Sequence, residues 1–265
     1  MLTRNGKKLK TRGDKSLDYS KFTEEELFGK INFERVPIHV AVIMDGNRRW
    51  AKSRSLPVVM GHKSGVKTFR TVVKTCVDLG IKYLSAYAFS AENWRRTPNE
   101  VNILLSLFKH YSVAERQKMK DNGICFRVIG DLSGLPKKLV EEFHKTEEFT
   151  TGCTKLNLNL AVNYGSRNEI VRASREIARL VKDGKIEPED IDEELFVKHL
   201  FTRDLPDPDL LIRTSGELRL SNFLLWQMAY TEFWFTPILW PEFTRKDFLI
   251  AILDYQGRTR RFGGE

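Results

Sequence analysis

Cysteine is scarce in this chain, with only Cys76, Cys125 and Cys153 among 265 residues. They are odd in number, far apart and outside any CxxC or histidine-containing pattern, which argues against a disulfide framework and against a structural zinc site. They read as ordinary core or surface thiols. Long apolar runs are lacking too. Charge interrupts every hydrophobic stretch well short of the roughly 20 residues a bilayer span requires, so no transmembrane helix is expected. The opening "MLTRNGKKLKTRGDK" is basic and lacks the apolar segment of a secretory signal, and a cytoplasmic location is expected. No internal repeat or low-complexity segment stands out.

Acidic residues are outnumbered. Asp and Glu total 35 against 44 Lys and Arg, a formal charge of +9. That excess calls for an anionic partner: nucleic acid, lipid headgroups or a phosphorylated small molecule. Part of it sits in the N-terminal tail, which reads as a solvated, disordered arm. Hydrophobic residues make up 41% of the chain, enough for one sizeable core, and α/β chains of this length commonly form a single domain. Residues 1–30 are read as the tail with a short leading helix, and 31–265 as one domain.

In "FTEEELFGKI" a threonine cap, acids in the first turn and a short apolar face predict that leading helix. From Ile38 onward strand-like runs alternate with helical patterns. The order is "IHVAVIM", a helix over about 65–79, "KYLSAYAFS", a helix over about 99–120, "ICFRVIG", a helix around 135–149, "KLNLNLAV" and a helix over about 167–182. "PDLLIRT" and "TEFWFTP" supply two more short strands, and "RKDFLIAILDYQG" a closing helix. This pattern predicts an α/β fold with a mostly parallel central sheet flanked by helices, and ligands at the carboxyl ends of its strands.

Chemistry-bearing residues fall at those ends. In "HVAVIMDGNRRWAK" an apolar strand runs into Asp45, Gly46, Asn47, Arg48, Arg49 and Trp50, with a helix expected to start near Arg48. Free amides at a helix start and the positive end of its dipole favour a phosphate. Gly46 would let the backbone come close, and an acid beside a phosphate makes sense if a divalent cation bridges the two. The plain alternative is a helix cap beside solvated arginines. "YAFSAENWRR" adds Ser90, Glu92, Asn93, Trp94 and Arg96, and "LIRTSGELRLSNF" adds Arg213, Arg219 and Ser221. Glu232 lies inside the aromatic run "AYTEFWF", where an unpartnered carboxylate would be costly. Each has an ordinary explanation as core or surface ion pair. Together they suggest a site for two phosphorylated groups and a divalent ion.

With these stretches, and with "GHKSG", "NLAVNYGSR" and "RRFGG", the chain from about His39 to Gly264 resembles the cis-prenyltransferases, of which bacterial undecaprenyl diphosphate synthase is a member. The resemblance implies a catalytic domain that condenses isopentenyl diphosphate onto an allylic diphosphate such as farnesyl diphosphate, with Mg²⁺. Asp45 would bind Mg²⁺ and the diphosphates, and Gly46 to Arg49 would cradle the allylic diphosphate. Asn93 would lie near the reacting centre, Trp94 would shape the pocket and Arg96 would hold the allylic diphosphate, with Ser90, Glu92, Trp50 and His62 beside them. Arg213, Arg219 and Ser221 would bind the isopentenyl diphosphate, and Glu232 would be a further metal-linked acid. The base that takes the final proton is left open between Asn93 and diphosphate oxygens.

The helices of "TFRTVVKTCVDLG" and "EVNILLSLFKHYSVAE" have apolar faces wide enough to enclose a hydrophobic tunnel against the sheet. The small Ala88 and the leucine at 156 match, in the family, the tunnel entrance and floor of long-chain enzymes, which leans toward an undecaprenyl-type product for cell-wall synthesis. One departure is Val58, where many members carry an arginine that contacts the allylic diphosphate; Arg54 or Arg48 would compensate. The resemblance further implies a homodimer whose "RTRRFGG" end reaches the neighbouring subunit. A charged head on a long hydrocarbon predicts peripheral membrane association. Within the family the alternative is a short-chain Z-prenyl diphosphate synthase, for which a bulky residue would stand at the tunnel entrance, and two readings lie outside catalysis by this chain. A non-catalytic partner subunit of a prenyltransferase complex would typically have lost the aspartate that is kept here. For a nucleic-acid binder, the positive residues should line a helix or stripe instead of gathering at strand ends.

Overall fold

The computed structural model describes residues 18–259; the basic segment before them and most of "RTRRFGG" after them lie outside the described residues. The leading helix α1, Glu24–Gly29, starts as the sequence requires: Thr23 Oγ1 accepts from the Glu26 amide and Glu26 Oε2 accepts from the Thr23 amide. This reciprocal capping satisfies two donors of the first turn.

Six strands follow: β1 His39–Ile43, β2 Tyr83–Ser90, β3 Ile124–Ile129, β4 Leu156–Tyr164, β5 Leu210–Arg213 and β6 Glu232–Phe235. All pair in parallel, in the order β3-β4-β2-β1-β5-β6. The intervening helices are α2 Asn47–Ser53, α3 Val58–Leu79, α4 Pro98–Ala114, α5 Arg116–Asp121, α6 Lys137–Thr150, α7 Ser166–Lys182, α8 Glu193–Lys198 and α9 Arg245–Gln256.

Alternation along each strand feeds two cores. Val40, Val42, Leu84, Ala86, Leu158 and Ile212 pack in one cluster with residues of α3, α4, α6 and α9. Ala41, Ile43, Leu211 and Tyr164 pack on the other face with Phe223, Leu224 and Met228 from the long loop after β5. The exposed edge of β3 is closed by α6, whose Thr150 Oγ1 and Glu147 Oε1 accept the Phe126 and Val128 amides at 3.0 and 2.7 Å. No helix among the described residues is long and apolar enough to cross a membrane.

Three boundaries differ from the sequence expectation. α3 begins at Val58, after Pro57, and not near Gly65: Gly61 and Gly65, which weaken a helical pattern, lie inside it. The long helix expected over 99–120 is broken at Glu115, whose carboxylate pairs with Arg70 of α3. The short α8 has no long periodic pattern and starts on an aspartate cap, Asp192 Oδ1 accepting from the Leu195 amide at 2.7 Å.

Strand order reverses at β1, whose neighbours are β2 on one side and β5 on the other. Open α/β sheets place their ligand crevice at the carboxyl ends beside such a switch point. Asp45 leaves β1 and Arg213 ends β5 at that place.

Candidate active site

The turn after β1 is clamped from two sides. The Asp45 carbonyl accepts from the Trp240 amide at 3.0 Å and from Thr214 Oγ1 at 2.7 Å. Gly46 adopts φ +110°, and a β-carbon there would lie 3.0–3.1 Å from atoms of Leu239; only glycine suits both the backbone and the space. The first hydrogen bond of α2 runs from the Trp50 amide to the Gly46 carbonyl at 2.9 Å, so the amides of Asn47, Arg48 and Arg49 precede the helical ladder.

Arg213 joins the two strand ends. Its side chain is 3% exposed and donates to Asp45 Oδ2 at 3.1 Å, to Ser221 Oγ at 2.8 Å and to the Arg219 carbonyl. Arg49 also approaches Asp45 Oδ2, at 3.3 Å, and reaches the Ser215 carbonyl at 3.1 Å and Glu217 at 3.5 Å. Both ion pairs of Asp45 fall on Oδ2 and neither on Oδ1. Arg219 pairs with Glu217.

On the β2 side, Ser90 donates its amide to Asn93 Oδ1 at 3.3 Å. Arg96 is held by Glu100 at 2.9 Å, and Glu100 also lies 3.8 Å from His62 and 3.9 Å from Arg48. Burial, reinforced by the Arg96 guanidinium and opposed by Glu100, lowers the His62 imidazole to about 4. It is uncharged at neutral pH. Trp94 packs edge-on against Phe89 and donates its indole N–H to Asn163 Oδ1 at 2.8 Å.

These groups surround a polar cavity of about 540 Å³ lined by Asp45, Asn47, His62, Ser90, Glu92, Asn93, Arg96, Arg213, Arg219 and Ser221, with Met44, Tyr87, Ala88, Leu104 and Asn222. A second cavity, of about 440 Å³, adjoins it between α3, α4 and the sheet. Its walls include Val66, Phe69, Val73, Phe108, Ile124, Phe126, Leu158 and Leu160. Met44, Asn47, His62, Ala88 and Leu104 line both. The polar chamber thus adjoins an apolar one at Ala88.

Not every expected residue joins this wall. Gly46 and Arg49 are not in the cavity lining, and Arg49 reaches it only through its ion pair with Asp45. Arg48 is exposed and reaches the rim through Glu100. Trp50 carries the Arg54 guanidinium stacked 4.6 Å above its ring, and Arg54 is paired with Glu242 at 2.6 Å. Val58 is the first residue of α3. Leu156 is fully buried, on the same face of β4 as Leu158 and Leu160 but beyond the lining residues. Glu232 stands apart: it opens β6, level with Leu210, about 10 Å along the strand from the level of Arg213. There it pairs with Arg258 at 2.8 Å. Sequence reasoning overlooked Asn222, Glu217 and Glu100. The first two lie inside "RTSGELRLSNF", and Glu100 follows Arg96 at i+4, the one signal that could have marked it.

Sequence and fold are similar to those of isoprenyl transferases. The chain is 53% identical over 241 residues to the isoprenyl transferase of Heliobacterium mobile, covering 91% of this chain and 93% of that one. It is 52% identical to that of Clostridium perfringens (strain 13 / Type A), covering 87% and 91%. Among solved structures it is similar to lavandulyl diphosphate synthase from Lavandula x intermedia in complex with dimethylallyl diphosphate (TM-score 0.84, 42% identity, 87% of this chain and 99% of that one). It is also similar to a probable undecaprenyl diphosphate synthase from Campylobacter jejuni (TM-score 0.71, 37% identity, 86% and 98%). A family model described as "Putative undecaprenyl diphosphate synthase" matches residues 43–263, and the chain belongs to that prenyltransferase family.

Proposed function

We propose that the protein is a cis-prenyltransferase that adds isopentenyl diphosphate units to an allylic diphosphate, with farnesyl diphosphate as starter, and makes a long-chain Z-polyprenyl diphosphate of the undecaprenyl type. The observation that carries this reading is the pair of adjoining cavities, one lined by guanidinium and carboxylate groups, the other mainly by hydrocarbon, with charged side chains such as Arg70, Lys74, Glu115 and Lys118 also in its wall. A polyprenyl diphosphate has the same two halves.

In this reading the allylic diphosphate lies at the start of α2, with the Asn47–Arg49 amides and Arg96 as donors. Its tail passes Ala88 into the apolar chamber. The diphosphate of the second substrate takes Arg219, Ser221 and the free donors of Arg213. Its double bond then faces the allylic C1. The C1–O bond breaks, pyrophosphate leaves with the electron pair, and the double bond of the second substrate closes the new C–C bond; a proton is then lost to restore a double bond. The guanidinium groups stay in place while charge moves onto the leaving group, which lowers the barrier without reorganisation. A neutral His62 adds no positive charge beside the developing allylic cation.

The donor set fits a cation shared with substrate. Among the described residues no three His, Cys, Asp or Glu side chains gather into a closed metal site, whereas Mg²⁺ is usually held by one or two carboxylates plus substrate phosphates. Asp45, partly exposed at the cavity wall, would hold it. When bound, Mg²⁺ would neutralise negative charge on the departing pyrophosphate. Glu232 does not reach this place from the same subunit.

A homodimer is part of the proposal. The edge strand β6 and its approach expose Tyr230 at 60% and Phe233 at 37%, and a second copy would cover them. Peripheral attachment to the cytoplasmic membrane is likewise proposed, from the positive charge and the hydrocarbon product.

The test is incubation with farnesyl diphosphate, radiolabelled isopentenyl diphosphate and Mg²⁺, with products sized by chromatography. A ladder ending near undecaprenyl is expected, lost on chelation and restored by Mg²⁺. No incorporation would refute the reading; products of one or two added units would refute the long-chain assignment.

A further inference from the structure

We infer that Asn222 is a positioning residue that clasps the two halves of the proposed site together through Glu92. The inference rests on the functional reading above and goes beyond it. Residues 91–96 follow β2 and residues 214–222 follow β5, and β1 lies between those strands. The sheet alone therefore relates the two segments at a distance. Two diphosphate groups bound side by side repel each other, which tends to spread the loops that hold them.

Asn222 opposes that spreading with every polar group it has apart from its own amide. Its Nδ2 donates to Glu92 Oε1 at 2.8 Å, joining two residues that line the polar cavity. Its Oδ1 accepts from the Arg167 amide and its carbonyl from the Ser166 amide, both at 2.8 Å, at the start of α7. The Leu225 amide in turn donates to Ser166 Oγ at 3.0 Å. Ser221 and Asn222 both have left-handed backbones, with φ of 51° and 63°, a conformation asparagine tolerates better than most residues. The α7 bonds thus fix the strained turn that aims Ser221 at Arg213, and the fourth bond carries this fixed point across to Glu92, one residue before Asn93.

A second observation points the same way. A β-carbon at Gly165 would lie 2.8 Å from Asn222 Nδ2 and 3.3 Å from Ala91 Cβ. The two segments close over that glycine with no room between them. Glu92 responds as a carboxylate in a clasp should: although burial opposes ionisation, the bonds from Asn222, backbone and Ser90, with Arg95 nearby, hold its carboxyl below the ordinary value.

The test exchanges donor and acceptor. Asn222→Asp keeps the acceptor for Arg167 but sets two carboxylates against each other. Glu92→Gln keeps an acceptor for Asn222. Combined, the two substitutions rebuild the bond with reversed polarity. A lost hydrogen bond to a charged group corresponds to about a ten- to hundredfold effect. Asn222→Asp and Glu92→Ala should lower kcat/KM for isopentenyl diphosphate by that factor, with unchanged thermal stability for the exposed Glu92 variant. Binding of a non-reactive allylic thiodiphosphate alone, measured by calorimetry, should change by less than about threefold. Glu92→Gln, which keeps that acceptor, should lose clearly less than Glu92→Ala, and the double variant should recover most of the loss seen in Asn222→Asp. A double variant no better than Asn222→Asp, or a fully active Glu92→Ala, would overturn the clasp. If Asn222→Asp does not fold, the comparison of Glu92→Ala with Glu92→Gln decides. Failure of the unaltered enzyme to incorporate isopentenyl diphosphate would overturn the functional reading and the clasp together, whereas normal incorporation with unrescued variants overturns the clasp alone.

Discussion

Replacing Gly65 by alanine sets two effects against each other. Inside an α-helix alanine is favoured over glycine by about 1 kcal/mol, and Gly65 lies within α3 without a positive φ. Helix propensity alone predicts a more stable protein. Packing predicts the reverse. A β-carbon at this position falls 2.3 Å from Asn47 Oδ1 and 2.9 Å from Trp240 Cδ1. The indole cannot yield, because it is buried and its N–H donates to the carbonyl of Gly65 itself at 2.9 Å. Asn47 must move. Its amide is tied to the Met44 carbonyl by one 3.3 Å bond, and its Oδ1 has no hydrogen-bond partner among the described residues.

Overpacking of this kind costs about 1–3 kcal/mol, so the net change is a loss of up to about 2 kcal/mol, or a few degrees in melting temperature for a chain of this size. Activity should suffer more. Asn47 lines both cavities at their junction, and a shift of about 1 Å in a group that positions substrate can cost about 10²-fold in rate. Gly61→Ala should be worse, since its β-carbon would lie 2.1 Å from the backbone oxygen of Asn47, which cannot move without α2. Thermal denaturation and isopentenyl diphosphate incorporation measured on the same preparations separate the two effects. A Gly65→Ala protein that melts higher and turns over normally would refute the packing argument.

Ala88→Phe places a ring at the junction of the cavities and should leave the first condensation while shifting products to the shortest chains; an unchanged length distribution would count against the tunnel. Arg213→Lys keeps the charge but loses the fork that reaches Asp45 and Ser221 together, and should weaken isopentenyl diphosphate binding about 10²-fold by calorimetry. Stability should fall in acid. His39 and His62 are lowered from 6.5 to about 4 chiefly by burial, so between those values the unfolded chain takes up protons that the folded chain refuses. Their contribution is complete above pH 6.5 and declines as pH drops toward 4, by about 3 kcal/mol for each histidine. Urea titrations at several pH values should show His39→Asn with a shallower decline than wild type, and equal slopes would contradict the assignment.

The fold was legible because its signals are local. Five-residue apolar runs such as "HVAVI" buried on both faces, and helical periodicity between them, suffice to announce a parallel sheet. Helix starts were less visible where packing overrides propensity, as at α3, whose two glycines weaken the pattern precursory to Leu79 but permit α2 to approach. In the site, Asp45, Arg213 and Ser221 were readable as chemistry at strand ends. Asn222 was not, because an asparagine after a serine in a loop looks like any turn until α7 is seen to grip it. Glu232 was the opposite case. Its charge in an aromatic run demanded a partner, and the partner is Arg258, a residue at the far end of the chain that no local pattern connects to it.

Where the remaining polar groups lie bears on why the site is there. Eight buried side-chain atoms among the described residues have no hydrogen-bond partner, and three of them belong to Asn47, His62 and Arg213, all of which line the polar cavity. Leaving such a group unpaired costs about 1–3 kcal/mol, and apolar side chains of similar shape would avoid that cost. The same chamber holds Arg213 and Arg96 against carboxylates that a more anionic ligand would displace. A folded state that keeps unpaired donors and acceptors together with competing ion pairs at a switch point is poised for a ligand richer in oxygen than any side chain. A diphosphate, with its several acceptor oxygens on two phosphorus atoms, meets that description more closely than a carboxylate or a hydroxyl would.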